Sequence, residues 1–284
     1  MSDNQRQLED SITRDFSTDS ENLSYGAYLD LARLLSSQHP RSTPVLHDEM
    51  LFIIQHQVAE LWLKLLLHEL HSARDLLSGD ELAPALKRLA RIKHVLKQLV
   101  EQWDVLATLT PSEYAQIRPF LATSSGFQSW QYRSVEFILG NKNADMIRVF
   151  AHDAGAQADL TALWEEPTVY DAFLRHLARN GYAVPSSVLE RDVREPYREH
   201  PELVPVIAGI YADPSTHWGA YEACEELVDI EDLFQQWRFR HLQVVLRTIG
   251  QQKGTGGSSG VSFLRRALDL TFFPELYSVR STIT

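Results

Sequence analysis

From Leu227 to Thr248 the apolar residues return at steps of three and four. Leu227, Phe234, Trp237, His241, Val244, Val245 and Thr248 therefore share one helical face. The run commits this part of the chain to one long helix, which ends in the glycine-serine loop GTGGSSG, residues 254–260. It also puts an imidazole, His241, in the middle of an apolar stripe. An unpaired buried polar group is costly, so that ring needs a partner. The partner is a backbone carbonyl, a carboxylate, a water or a metal.

Other stretches repeat the helical period. His47 to Leu77 reads as a long apolar helix with Met50, Leu51, Ile54, Val58, Leu61, Trp62, Leu65 and Leu66 as a wide buried stripe. Asp48 and Glu49 suit its first turn. Gly79 and Asp80 break it, and a second helix runs from Glu81 to about Ala107 with Leu82, Leu86, Leu89, Ile92, Leu96, Leu99 and Trp103 in line. The short loop between them predicts an antiparallel pair. Thr110-Pro111-Ser112-Glu113 carries the cap, the proline and the glutamate of a helix start, and the helix it opens holds Tyr114 and Arg118. Leu23 to Leu35 is expected as a short helix with Tyr25 and Tyr28 on one face. Further helices are expected over Phe127 to Leu139 and Val261 to about Phe272. Between 150 and 215 the pieces are short and divided by Pro185, Pro196, Pro201 and Pro214. No run alternates strictly enough for a strand. The expected fold is all-α: one helical domain over 23–284 with long antiparallel core helices, a flexible arm over 1–22, and a peripheral helical insertion over about 150–215.

Composition removes several functions. A net charge of -11 argues against a nucleic-acid surface. Cys224 is the only cysteine, which excludes cysteine zinc sites, iron-sulfur clusters and covalent haem attachment. The N-terminal stretch has no apolar leader, and no window approaches the roughly 18 consecutive apolar residues of a membrane span. A reducing, cytoplasmic setting is the expected one.

Spacing removes others. His68-Glu69-Leu70-His71 has its second histidine one place too near for H-E-x-x-H. The glycine loop is no phosphate loop, since no Gly-Lys-Ser/Thr follows and no strand precedes it. It is either a plain connection or a lid over a ligand. His56 shares a helical face with Phe52, four residues earlier. For His56 or His241 alone, a satisfied core or surface histidine is the commoner outcome. If their helices face each other the pair becomes a site: one imidazole for iron, one opposite it, an aromatic wall in Tyr114 and a guanidinium fork in Arg118.

The stretches HDEMLFIIQHQ (47–57), LWLKLL (61–66), TPSEY (110–114), SSGFQS (124–129), FILGNKN (137–143), WRFRH (237–241), GTGGSSG (254–260) and LTFFPEL (270–276) resemble the tryptophan 2,3-dioxygenase family in its bacterial form. The resemblance runs from about Leu23 to the C-terminus and is weakest over 150–215. It implies an all-α homotetramer with one haem b per subunit. Such an enzyme inserts O2 across the indole C2–C3 bond of L-tryptophan to give N-formyl-L-kynurenine, the first step of tryptophan degradation by the kynurenine route. It also implies site residues. His241 would be the axial iron ligand, and His56 the distal acceptor that orients the indole N–H. Phe52, Ile53, Ile54, Gln55 and Tyr114 would line the substrate pocket. Arg118 would bind the substrate carboxylate, Thr255 its ammonium group, and Ser125 would neighbour the haem edge. Tyr25 and Tyr28 would come from a neighbouring subunit. L-Tryptophan and further copies of the chain are the implied partners, with neither nucleic acid nor membrane among them. The competing readings are a related haem oxygenase acting on another indole and a non-catalytic haem-binding helical protein.

Overall fold

The computed structural model describes residues 23–252, 254–255 and 260–283. Its backbone contacts divide the chain into Met1–Pro40 and Arg41–Thr284. The flexible arm expected over 1–22 lies outside the described residues.

In the first unit, the single helix expected over Leu23 to Leu35 is two turns, α1 (Tyr25–Tyr28) and α2 (Leu31–Leu34). Asp30 separates them at φ 50, in the left-handed region that aspartate enters more readily than most residues. The Ser24 hydroxyl caps α1 by accepting the Ala27 N–H.

The second unit contains α3 (His47–Ser78), α4 (Leu82–Glu101), α5 (Trp103–Leu106), α6 (Pro111–Ile117), α7 (Trp130–Leu139), α8 (Asp145–Arg148), α9 (Ala154–Glu165) and α10 (Val169–Arg179). It continues through α11 (Ser186–Leu189), α12 (Val204–Ala212), α13 (Trp218–Ile249), α14 (Val261–Ala267) and α15 (Pro274–Ser278). No strand occurs among the described residues, so the fold is all-α, as expected.

Helix α4 packs against α3 on one side and against α13 on another. Their side-chain pairs give the directions. Arg88 reaches Ser72 while Arg91 reaches Glu69, so α4 returns antiparallel to α3. Lys93 reaches Glu226 and Asp229 while Asp104, in α5 just beyond α4, pairs with Arg240 further along α13, so α13 runs parallel to α4. Gly219 marks the close approach of these two: a Cβ there would sit 2.8 Å from Leu82 Cδ2.

The stripe expected to be buried on α3 is only partly so. Met50, Ile54, Val58 and Leu61 are exposed, and the core face is Leu63, Leu66, Leu67, Leu70, Ala73 and Leu77. In the N-terminal half the inward face is instead Phe52, Gln55, His56 and Ala59. Hydropathy ranks the first set above the second, so the pattern pointed to the wrong side of that half. By length and composition α3 is also the one helix among the described residues apolar enough to cross a membrane.

Residues 150–215 are helical but not peripheral. Leu160, Tyr170, Phe173, Leu177, Ile207 and Ile210 are buried in the same cluster as Leu70 and Leu89. Each piece is too short to show a strong period alone, and long-range polar ties hold them. Asp171 takes the Arg191 fork at 2.6 and 2.7 Å. Buried Lys142 donates to the carbonyls of Trp164 and Glu166 at the end of α9, and burial lowers its pKa to about 8. The last long-expected helix stops at Ala267. Beyond it, the N–H groups of Phe272 and Phe273 donate to the buried Glu231 carboxylate at 2.8 and 2.9 Å.

Candidate active site

Between the N-terminal half of α3 and the C-terminal half of α13 lies a cavity of about 520 Å³. Phe52, Gln55 and His56 line one side; Trp237, His241 and Val244 line the other. The two single histidines of the sequence thus line one cavity, close enough for His56 to depress the pKa of His241.

Their environments differ. The His56 ring Nδ1 lies 2.7 Å from the Phe52 carbonyl oxygen, one turn back on the same helix. A carbonyl only accepts, so Nδ1 carries the proton and Nε2 keeps its lone pair. Burial lowers the His56 pKa below 6.5 despite that bond. His241 makes no hydrogen bond among the described residues. Burial, followed by the charge of His56, lowers its pKa to about 4, which leaves the neutral ring that coordinates metals. Trp103, from α5, stacks on His241 at 4.8 Å and 9°.

Tyr114 lines the cavity from α6, whose start is the expected capping box: Glu113 accepts the Thr110 N–H at 2.7 Å. The Phe52 ring lies between His56, at 4.3 Å, and Tyr114, at 6.2 Å. Ser125 lines the cavity and caps the turn Gly126–Gln128. Thr255 also lines it, with its hydroxyl donating to the Ser124 carbonyl.

Three of the expected residues, Arg118, Ile53 and Ile54, lie outside this lining. Arg118 follows α6 in a 3-10 turn and lines a shallow depression beside the cavity, which shares Gly254 and Thr255 with it. There its Nη1 donates to Gln252 Oε1 at 2.6 Å. Ile53 and Ile54 do not line the cavity, because successive residues of a helix point about 100° apart and Phe52 already faces in. Tyr25 and Tyr28 belong to the first unit, where they are 77% and 74% exposed.

The sequence reading missed a buried charge cluster on the cavity wall. Glu136 accepts Arg133 Nη1 at 2.6 Å, Arg238 Nη2 at 3.0 Å and the Tyr132 hydroxyl at 2.9 Å. Two guanidiniums against one carboxylate leave one positive charge. The Nε atoms of both arginines are buried without a partner, as are Trp103 Nε1, Trp237 Nε1, Gln102 Oε1 and Thr248 Oγ1. Its signal was charge inside otherwise apolar helices: Arg133 and Glu136 in α7, Arg238 beside Trp237. Among the described residues no group of three or more His, Cys, Asp or Glu could hold a metal.

A family model described as tryptophan 2,3-dioxygenase matches residues 9–159 and 148–283. The chain belongs to the tryptophan 2,3-dioxygenase family. Curated relatives of that name agree. The one from Saccharopolyspora erythraea is 62% identical over 280 residues, covering 99% of each chain. That of Kineococcus radiotolerans is 60% identical over 281 residues, 99% of this chain and 97% of its own. The relative from Xanthomonas campestris pv. campestris is 54% identical over 280 residues, 99% and 93%.

Proposed function

We propose that the cavity holds haem b and L-tryptophan, and that the chain inserts both atoms of O2 across the indole C2–C3 bond to give N-formyl-L-kynurenine. The enzyme class follows from the family: the chain is an oxidoreductase of the tryptophan dioxygenase type. The observation that carries the finer reading is the pair of imidazoles facing each other across one cavity, His241 unbonded and His56 fixed with Nε2 as acceptor.

The residues fit a haem. A flat macrocycle needs apolar walls, one axial nitrogen and countercharge for its two carboxylates. Leu106, Leu109, Phe127 and Leu264 would supply wall, His241 the nitrogen, and the Nε–H groups of Arg133 and Arg238 with Trp237 Nε1–H the donors that have no partner. When bound, the haem iron supplies the activation of dioxygen. The chain selects and positions the substrate. His56 Nε2 accepts the indole N–H, and an analogue without that proton leaves the acceptor unpaired in a dry site. Phe52 and Tyr114 bracket the ring. Arg118 offers a planar fork to the carboxylate once it exchanges its bond to Gln252, and Thr255 offers an oxygen to the ammonium group.

The same reading includes O2 as co-substrate, a homotetramer in the cytoplasm, and entry into the kynurenine route. The exposed apolar row Met50, Ile54, Val58 and Leu61 supports self-association. The family disfavours both the oxygenase for another indole and the non-catalytic haem carrier. An absorption spectrum of the purified, haem-loaded protein tests the assignment. A Soret band that shifts on adding L-tryptophan is expected; a band indifferent to tryptophan argues against it.

Two variants separate the roles. His56→Ala is expected to slow turnover about 10- to 100-fold without abolishing it, the scale of one lost orienting hydrogen bond. A dead variant that still binds tryptophan and O2 would make His56 an essential base instead. Arg118→Leu is expected to raise KM for tryptophan about 10- to 100-fold, as loss of a charge-assisted contact does. An unchanged KM removes Arg118 from the carboxylate site. The pH dependence follows from the His56 shift. Protonation of Nε2 destroys the acceptor, and burial delays that step, so KM stays flat on acidification until the pH is below 6.5. A rise in KM already centred above that value contradicts the lowered pKa.

A further inference from the structure

We propose that Trp103 is the positioning residue of His241, setting the plane of its imidazole by stacking in place of a hydrogen bond. The inference rests on the haem reading above and extends it to the Trp103 ring that lies against His241 in the cavity wall.

A metal-bound imidazole turns about its Cβ–Cγ bond unless something holds it. Ordinarily the second ring N–H is held by a carbonyl or carboxylate, which fixes both orientation and basicity. The helical carbonyl one turn back does this for His56, at 2.7 Å. His241 is also helical, yet neither ring nitrogen bonds to the Trp237 carbonyl or to any other described residue. Instead the Trp103 indole lies against the imidazole, within 9° of parallel at 4.8 Å. Trp237 closes the corner, 5.6 Å from His241 at 48° and 5.6 Å from Trp103. Trp103 is itself well held. It is 8% exposed, opens α5 where α4 ends, and packs with Leu106, Leu109, Ile117 and Val244. A ring stacked on this wall has one comfortable plane. Any tilt drives its edge into Trp103 on one side and opens a gap on the other.

The stack also has an electronic side. An indole face accepts no proton from the imidazole N–H, so the ligand is not pulled toward imidazolate as a carboxylate partner would pull it.

Trp103→Leu and Trp103→Phe, each haem-loaded as full-length chain, test this. The readouts are the iron–imidazole stretching band of the reduced protein by resonance Raman and the rate of haem loss to an apo-acceptor. The leucine variant is expected to show a broadened, shifted band and haem loss about tenfold faster, the scale of losing a group that orients a metal ligand. Phenylalanine, which keeps a stacking face, restores both towards the parent. If leucine prevents folding, Trp103→Met fills the volume without a plane and is expected to behave as leucine would. A leucine or methionine variant that matches the parent in both readouts overturns the proposal, and so does a phenylalanine variant no better than leucine. Failure of the underlying haem reading looks different: the parent band would then survive in His241→Gly.

Discussion

The His241→Ala protein is expected to fold normally, to purify with little haem, and to lose turnover by about three orders of magnitude or more, some 4 kcal/mol of transition-state stabilisation. Normal folding follows from what His241 does without a ligand. The side chain makes no hydrogen bond among the described residues, alanine is the better helix former, and the truncation enlarges a cavity already present. On the proposed reading the loss is therefore confined to the haem, which His241 would hold. Haem content per chain, thermal unfolding and turnover, measured together, check this. Retention of a normal haem spectrum and rate would mean that another group ligates the iron.

Glu136→Gln is expected to cost about 3–5 kcal/mol of stability, the usual consequence of removing one partner from a buried ion pair. Glutamine keeps the shape and one acceptor oxygen, so the effect isolates the charge. Arg133 and Arg238 are then left as two buried cations with no counter-ion, on helices α7 and α13 that the cluster ties together. The midpoint of urea unfolding reads it directly. A loss under about 1 kcal/mol would mean that water already neutralises the cluster, at the median value of an exposed pair. Because one positive charge exceeds the carboxylate in the native chain, haem-loaded protein is expected to be less sensitive to this substitution than haem-free protein.

Much of this was legible from residue order. Long helices over 47–77 and 227–248 came from period alone, and the capping box at Thr110 was visible as four letters. The motif resemblance then carried His56, His241, Tyr114, Ser125 and Thr255, which the fold brings to one cavity. Three things were not legible, each for a physical reason. The inner face of α3 near Phe52 is less apolar than its outer face, because it turns the Gln55 amide and the His56 imidazole towards the cavity in place of Ile54. The segment 150–215 enters the core through short helices whose partners are far away in sequence, such as Tyr170 donating to Glu275 at 3.1 Å. Local periodicity carries no trace of such a tie. Arg118 follows the helix that Tyr114 belongs to, and the chain turns there, so four residues' separation did not bring both side chains to the same wall.

The measurement closest to the central claim is a single turnover with isotopic oxygen. Haem-loaded protein is reduced without air, given L-tryptophan, then mixed with 18O2, and the product is weighed. One product, tryptophan plus two labelled oxygen atoms, is predicted for the parent, with a reduced yield from His56→Ala and none from His241→Ala. Recovered tryptophan alone, or a product carrying one labelled atom, would contradict it.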